Sequence, residues 1–373
     1  ANKDISFKTH YILASRRSTQ VANLISDSCI QNSLELNFTP TSLGKLSNNR
    51  FGVSLEDVPS EVFLKYKFKK GTCIADWNLN SKNIKAFFSD SFISNKILEN
   101  AKNERESLSS YYISNGLGNT DKKNIAFVDI GHGGTLQNEI TKLMHISNSK
   151  GYYFATFERI RSVLDQNSHT SLGFLTNNLK ANSRHFYKEF IIMYELIFIN
   201  DKPSFIKMKK TINSLEAIFL EDLRNAKSIN FAKLIHLGIT EFITDINSHA
   251  DFFNIKLDLS ANDSVIAYND FLRNPSLDDY KLFSGITFEN AYSGRDICHI
   301  VPPLNQINKQ QGLWKINKKF ITSKSTETIF FKILMLFLNN ENKYRKLINN
   351  PRAFILDSKN KFLKVLAVIL RFR

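Results

Sequence analysis

The chain has 373 residues, 42% of them hydrophobic and 23% charged, which excludes a disordered tail and suits two domains or one large domain with an appendage. Fifty Lys and Arg against 35 Asp and Glu leave a formal charge of +15, a field that favours anionic partners. No apolar run approaches the roughly 18 residues of a transmembrane helix, and three widely separated cysteines (Cys29, Cys73, Cys298) exclude a disulfide scaffold and a CxxC zinc site.

The opening residues carry no signal-peptide pattern, so a cytoplasmic location is expected. The lysines are scattered through a background rich in Asn, Ile and Phe, a mixture that AT-rich coding produces, so charge alone does not choose among nucleic acid, membrane and phosphorylated ligands. Residues 9–14 read as a buried strand almost at once, which leads to the expectation of a domain excised from a longer, multidomain protein. Ser15 is placed to cap a helix running to about residue 26. Short helices are expected at 41–46 and 55–66, longer ones at 83–92 and 94–114 from their i, i+3, i+4 apolar spacing.

A continuous apolar run at 125–130 predicts a strand buried on both faces. A helix at 136–145 and strands at 151–157 and 171–175 follow, an order that implies a parallel sheet. Beyond about residue 182 the apolar spacing predicts helices at 186–199, 214–225, 231–247, 264–273 and 328–338. Residues 361–373 are apolar and basic, suited to an anionic membrane surface or to docking as a terminal helix.

Asp129-Ile130-Gly131-His132-Gly133-Gly134-Thr135-Leu136-Gln137 carries the most chemistry. A strand ends in a carboxylate, a glycine-rich turn follows, and a helix starts at or after Thr135. Glycines let successive N–H groups point into one concavity, and the helix N-terminus adds free N–H groups and partial positive charge. With the Thr135 hydroxyl this makes a phosphate cradle at the carboxyl end of a strand, where open parallel sheets hold their ligands. A tight strand-to-helix turn would use the same glycines for geometry alone. The stretch lacks the Gly-Lys-Ser/Thr of a Walker A loop and the GxGxxG dinucleotide spacing.

Ser15-Arg16-Arg17 stands where the first expected strand meets its helix. Cations at a helix N-terminus oppose the dipole, which points to a nearby anion held by forked guanidinium bonds; a solvated helix start is the plain alternative. In Asn103-Glu104-Arg105-Glu106, leading to Tyr111-Tyr112, helical ion pairing and an anion contact through Arg105 both suit the pattern. His132 has the chemistry to donate to a phosphate or to act as acid or base near neutral pH. The chain has no Asp-x-Asp, HExxH or GxSxG motif, no Cys/His metal cluster and no RNA-binding signature.

Taken in order, Tyr11-Ile12-Leu13-Ala14-Ser15-Arg16-Arg17, then Asn103-Glu104-Arg105-Glu106 with Tyr111-Tyr112, then Val128 through Gln137 resemble the glycan phosphoribosyltransferase domain of bacterial capsule and O-antigen ribofuranosyltransferases. Fainter similarities continue at Gly151-Tyr152-Tyr153-Phe154, Tyr194-Glu195, Arg273-Asn274-Pro275-Ser276 and Gly312-Leu313-Trp314. The loop departs from the family in holding His132 where a tryptophan is expected, and Asp129 alone where phosphoribosyltransferase loops carry paired acids.

The resemblance implies transfer of 5-phosphoribose from phosphoribosyl pyrophosphate to a glycan hydroxyl, with pyrophosphate leaving and magnesium sharing its charge. A haloacid-dehalogenase-like phosphatase, as a domain or a separate protein, would then remove the 5-phosphate. On this resemblance the catalytic residues are Asp129, Arg16 and Arg17, and the donor is bound by Ser15, Arg105, Gly131, His132, Gly133, Gly134 and Thr135; the metal ligands are unassigned.

The expected architecture is α/β. A Rossmann-like, mostly parallel sheet forms a donor-binding region over 1–180, and a mainly helical region over 181–373 takes the acceptor side, with peripheral contact through 361–373 at the inner face of the cytoplasmic membrane. Two alternatives stay open, a nucleotide-sugar-dependent transferase using the same loop and a non-catalytic polyanion-binding module of a capsule assembly complex. Nucleic acid is not an expected partner.

Overall fold

Short polar caps set out the first helices of the computed structural model, which describes residues 8–35, 41–74, 77–118, 125–253, 260–290 and 296–303. Helix α1 (Arg16–Ala22) starts at Ser15, whose hydroxyl accepts the Ser18 N–H in a capping box. Ser26 caps α2 (Asp27–Leu34), so the single helix expected from 15 to 26 is broken after Ala22. Strand β1 (Thr41–Ser42), α3 (Leu43–Phe51), α4 (Ser60–Lys65) and β2 (Cys73–Ile74) follow, the two strands forming a short antiparallel pair. The helix expected over 55–66 starts only after Pro59. Then come α5 (Trp77–Phe88) and the long α6 (Ser91–Tyr112), capped by Asp90. Val21, Leu34, Phe51, Phe63, Phe87 and Ile97 bury together and join these helices in one core.

No strand forms at 9–14. Tyr11 is exposed, and the Leu13 N–H donates to the Tyr111 hydroxyl at 2.9 Å rather than to a ladder. Ile12, Leu13 and Ala14 still pack against a second core built from Ala22, Leu108, Tyr112, Ile140, Leu143, Phe205 and Met208. The apolar run was therefore a true sign of packing and a false one of strand pairing.

The expected strand–helix–strand order appears in β3 (Ile125–Asp129), α7 (Thr135–Leu143), β4 (Ser149–Tyr153), α8 (Ile160–Val163) and β5 (His169–Gly173). The three strands form a parallel sheet in the order β3-β4-β5, with Asp129, Tyr153 and Gly173 in register at its carboxyl end. One face carries α7: Phe127 packs in the second core, and Gln137 of α7 donates to the Ser149 hydroxyl at 2.8 Å and accepts from the Tyr153 hydroxyl at 2.7 Å. The other face contradicts the expectation of two-sided burial. Val128 is 87% exposed, and its register partners Tyr152 and Leu172 are exposed with it.

The remaining described elements are α9 (Phe186–Glu189), α10 (Ile191–Ile197), β6 (Phe205–Lys210), β7 (Leu215–Phe219), α11 (Ala226–Phe253), α12 (Ala261–Arg273), α13 (Leu277–Phe283), β8 (Thr287–Asn290) and β9 (Asp296–His299). The helix expected at 214–225 is instead β7, paired antiparallel with β6. Leu215 and Phe219 satisfy helical spacing, but with Ala217 between them they also satisfy a period of two, and all three pack on the second core. Strands β8 and β9 form another antiparallel hairpin.

The α/β class thus holds, and among the described residues helices stand on both sides of residue 180. The described residues are mainly helical up to residue 118, two antiparallel strand pairs follow residue 200 among them, and the second core joins side chains from both sides of 180. All described residues belong to the first of two compact units, Ala1–Trp314 and Lys315–Arg373. The helix expected at 328–338, the basic tail at 361–373 and Gly312-Leu313-Trp314 lie outside the described residues. No helix among the described residues is long and apolar enough to cross a membrane.

A buried ion pair ties these parts together. Arg17 of α1 grips Glu104 of α6 in a fork, Nη1 to Oε2 at 2.7 Å and Nη2 to Oε1 at 2.8 Å, and Nη1 also donates to the Ile206 carbonyl of β6 at 2.9 Å. Glu104 is 4% exposed and also accepts from Asn100, with Lys207 at 3.7 Å. Removing one partner strands the other charge in a poorly hydrated site. Glu104→Ala is expected to lower unfolding free energy by about 3–5 kcal/mol in denaturant titration, and a loss under about 1 kcal/mol, the size typical of a surface pair, would contradict this role.

Candidate active site

The glycine loop leaves β3 at Asp129, the carboxyl end of the sheet. Asp129 Oδ1 accepts the Gly131 N–H at 2.8 Å. Burial holds the Asp129 carboxyl above the usual carboxylate range, against the opposing pull of the Gly131 N–H and the Arg16 charge.

His132 rests its ring on Phe157, centroids 4.3 Å apart, and its carbonyl accepts the Phe157 N–H at 2.9 Å. Burial, then the charges of Arg16 and Arg159, push its pKa down to about 4, so the imidazole is neutral at pH 7. Its buried Nδ1 has no hydrogen-bond partner among the described residues.

Gly133 and Gly134 are glycine for separate reasons. A Cβ on Gly133 would come within 2.6 Å of Arg159 Nη2, so the guanidinium lies against the loop backbone. Gly134 has φ +69° and caps α7 in the left-handed region, where a Cβ would also meet Ile160 at 2.7 Å. Helix α7 therefore starts at Thr135 with no side-chain cap and no acidic residue in its first turn. Its first N–H groups and the positive end of its dipole are left for an anion.

Helix α10 completes the site with a group that the sequence reading did not single out for chemistry. Burial raises the pKa of Glu195, and the Asp129 charge raises it further, while Arg16 pulls it down. Tyr187 of α9 is fully buried, its hydroxyl has no partner among the described residues, and its pKa is raised by burial first and then by Glu195 and Asp129. Two half-buried carboxylates thus share the charge of one arginine, flanked by two buried polar atoms with no partner among the described residues. Buried polar groups are rarely left so.

Of the residues expected from sequence, Arg16, Asp129, His132 and the loop from Gly131 to Thr135 come together here. Ser15 serves locally as the α1 cap. Arg17 faces Glu104, and Arg105 donates to the carbonyls of Ala22 and Leu24, both at 2.7 Å, closing the C-terminal end of α1. The structure gives both arginines a structural use that sequence proximity to the motifs did not suggest. Arg159, Glu195 and Tyr187 join the site from segments with no motif of their own; the only sequence signal was the faint similarity at Tyr194-Glu195.

Among the described residues no group of three or more His, Cys, Asp or Glu is arranged to hold a metal ion. No family model matches the chain, and no curated protein matches it either.

The raised Asp129 pKa has a stability consequence with a definite sign. The folded state holds this proton more tightly than the unfolded chain, so the stabilisation is present at acid pH and is lost as pH rises through the folded pKa. Asp129→Asn keeps an oxygen for the Gly131 N–H and removes the buried charge. By calorimetry its Tm is expected to exceed the wild type's by about 2 °C or more at pH 7, with the gap closing near pH 4. An equal or lower Tm at pH 7 would contradict the burial argument.

Proposed function

We propose that the chain is a phosphoribosyltransferase-type glycosyltransferase that moves 5-phosphoribose from phosphoribosyl pyrophosphate to a glycan hydroxyl in capsule or O-antigen synthesis. The observation that carries this reading is the pair of half-buried carboxylates, Asp129 and Glu195, around the Arg16 charge beside the uncapped N-terminus of α7. The family resemblance of 11–17, 103–112 and 128–137 supports the same conclusion.

In this mechanism the first-turn N–H groups of α7 and the Thr135 hydroxyl hold the 5-phosphate. Arg16 and Arg159 neutralise the pyrophosphate as it departs. Asp129, with Oδ1 bound to Gly131, offers Oδ2 to the ribose hydroxyls. Glu195 of α10 takes the acceptor proton, and its raised pKa makes it a stronger base than a free carboxylate. The bond from the anomeric carbon to pyrophosphate breaks with its electron pair on the leaving oxygen. The acceptor oxygen bonds to that carbon and its proton passes to Glu195. Magnesium is commonly held by one or two carboxylates together with substrate phosphates, and Asp129 is the oxygen donor that fits such a site; bound there the metal would share the diphosphate charge. The product keeps its 5-phosphate, so a phosphatase of the haloacid-dehalogenase type belongs next in sequence. The proposed setting is the cytoplasmic face of the membrane.

Glycan-dependent pyrophosphate release tests the assignment. Arg16→Ala is expected to lose about 2–4 kcal/mol of transition-state stabilisation in kcat/KM. Glu195→Gln is expected to lower kcat by about 10²–10⁴ with an unchanged KM for phosphoribosyl pyrophosphate. Wild-type kcat should rise with pH as Glu195 ionises, since the base acts deprotonated. Near wild-type turnover in either variant would remove that residue from the mechanism.

A further inference from the structure

We propose that Phe154, Phe174 and Phe198 form a shelf that holds a pyranose ring of the acceptor glycan, an assignment that rests on the transfer reading above. Phe154 and Phe174 directly follow β4 and β5, at the same end of the sheet as the glycine loop. Strand pairing continues past both strands, with the Phe174 N–H donating to the Tyr153 carbonyl and the Leu175 N–H to the Phe154 carbonyl, each at 2.8 Å. The two rings therefore stand side by side, centroids 6.1 Å apart. Phe198, just beyond α10, lies 5.8 Å from Phe154 on another side. Phe174 is 51% exposed and Phe198 45%, so the shelf presents ring surface to solvent.

The shelf is continuous with the candidate active site. The Phe154 ring lies 5.8 Å from that of Tyr187, whose buried hydroxyl has no partner among the described residues, and 5.1 Å from Tyr194, the neighbour of Glu195. A ligand on the shelf is thus next to Tyr187, whose hydroxyl feels the charges of Glu195 and Asp129.

The chemistry of the shelf selects its occupant. A hexopyranose presents one face of C–H groups, apolar and weakly positive, which stacks on the negative face of an aromatic ring while its hydroxyls stay in polar contact. An aliphatic partner would be served as well by leucine or valine, whereas here all three positions are aromatic. Asn177, whose Oδ1 accepts the Gly173 N–H at 2.8 Å, adds an exposed amide next to Phe174. A few polar groups beside an apolar wall is the composition of a small-ligand site.

Saturation-transfer NMR on the full chain, with methyl β-D-galactopyranoside and methyl α-D-mannopyranoside as probes, tests this directly. The wild type is expected to transfer saturation to C–H protons of the stacked face of at least one probe. A double variant, Phe174→Leu with Phe198→Leu, keeps apolar cover but lacks the ring faces, and is expected to lose that signal about five-fold. Calorimetric binding of phosphoribosyl pyrophosphate should be unchanged in the same variant. No signal from the wild type with either probe, or an equal signal from the variant, would overturn the proposal. So would a loss of signal accompanied by a smaller assembly for the variant than for the wild type in light scattering, which would mark the shelf as a protein contact. Failure of the wild type to bind phosphoribosyl pyrophosphate would instead sink the transfer reading, and the acceptor role with it, whatever the saccharides show.

Discussion

The fork between Arg17 and Glu104 fixes the element on which the candidate site depends. Helix α1 has only seven residues, yet it packs against α3, α6, α7 and β6. Ser15 closes its N-terminal end, Arg105 closes its C-terminal end through the Ala22 and Leu24 carbonyls, and Arg17 bolts its middle to α6 and β6. Successive helical residues point about 100° apart, so turning Arg17 towards Glu104 sets the direction of Arg16. That direction brings the Arg16 charge onto Asp129, His132 and Glu195 at once. One arginine of the pair builds the fold, and the charge of the other reaches the candidate site.

The site itself is an arrangement of costs that a ligand would relieve. Two half-buried carboxylates stand close enough for the Asp129 charge to raise the Glu195 pKa, a neutral histidine has a ring nitrogen and a tyrosine a hydroxyl with no partner among the described residues, and a helix begins without a side-chain cap. A fold that served only itself would satisfy these groups. Natural proteins keep such local conflicts mainly where function needs them. The chain's +15 charge is not what defines the site. Two placed guanidiniums, Arg16 and Arg159, give the local field its shape.

How much of this was legible in the sequence followed from how local each feature is. The loop from Asp129 to Gln137 was readable because strand, glycine turn and helix are adjacent in the chain and each has its own signature. The parallel sheet was readable from the order of its elements. The pairing of Arg17 with Glu104 spans 87 residues and that of Arg105 with Ala22 spans 83, so both arginines looked available for an anion. Glu195 and Tyr187 reach the loop only through the tertiary fold. Residues 215–219 fitted two periods equally, and the pairing with β6 decided between them. Residues 9–14 had the composition of a strand, but they pack on the second core with the Leu13 N–H held by the Tyr111 hydroxyl instead of a ladder partner. Burial of β3 on both faces was wrong because composition reports what a strand tolerates, and only packing reports which face is covered.

The central claim is that this site is built for a sugar phosphate joined to a diphosphate, and equilibrium titration tests it most directly. Phosphoribosyl pyrophosphate with magnesium would be titrated calorimetrically into the full chain, beside ribose 5-phosphate, pyrophosphate and nucleotide sugars. The account predicts that phosphoribosyl pyrophosphate binds at least about ten-fold, or about 1.4 kcal/mol, more tightly than any of the others. Equal affinity for every anion, collapsing together as salt rises, would contradict it and leave a polyanion-binding module in its place.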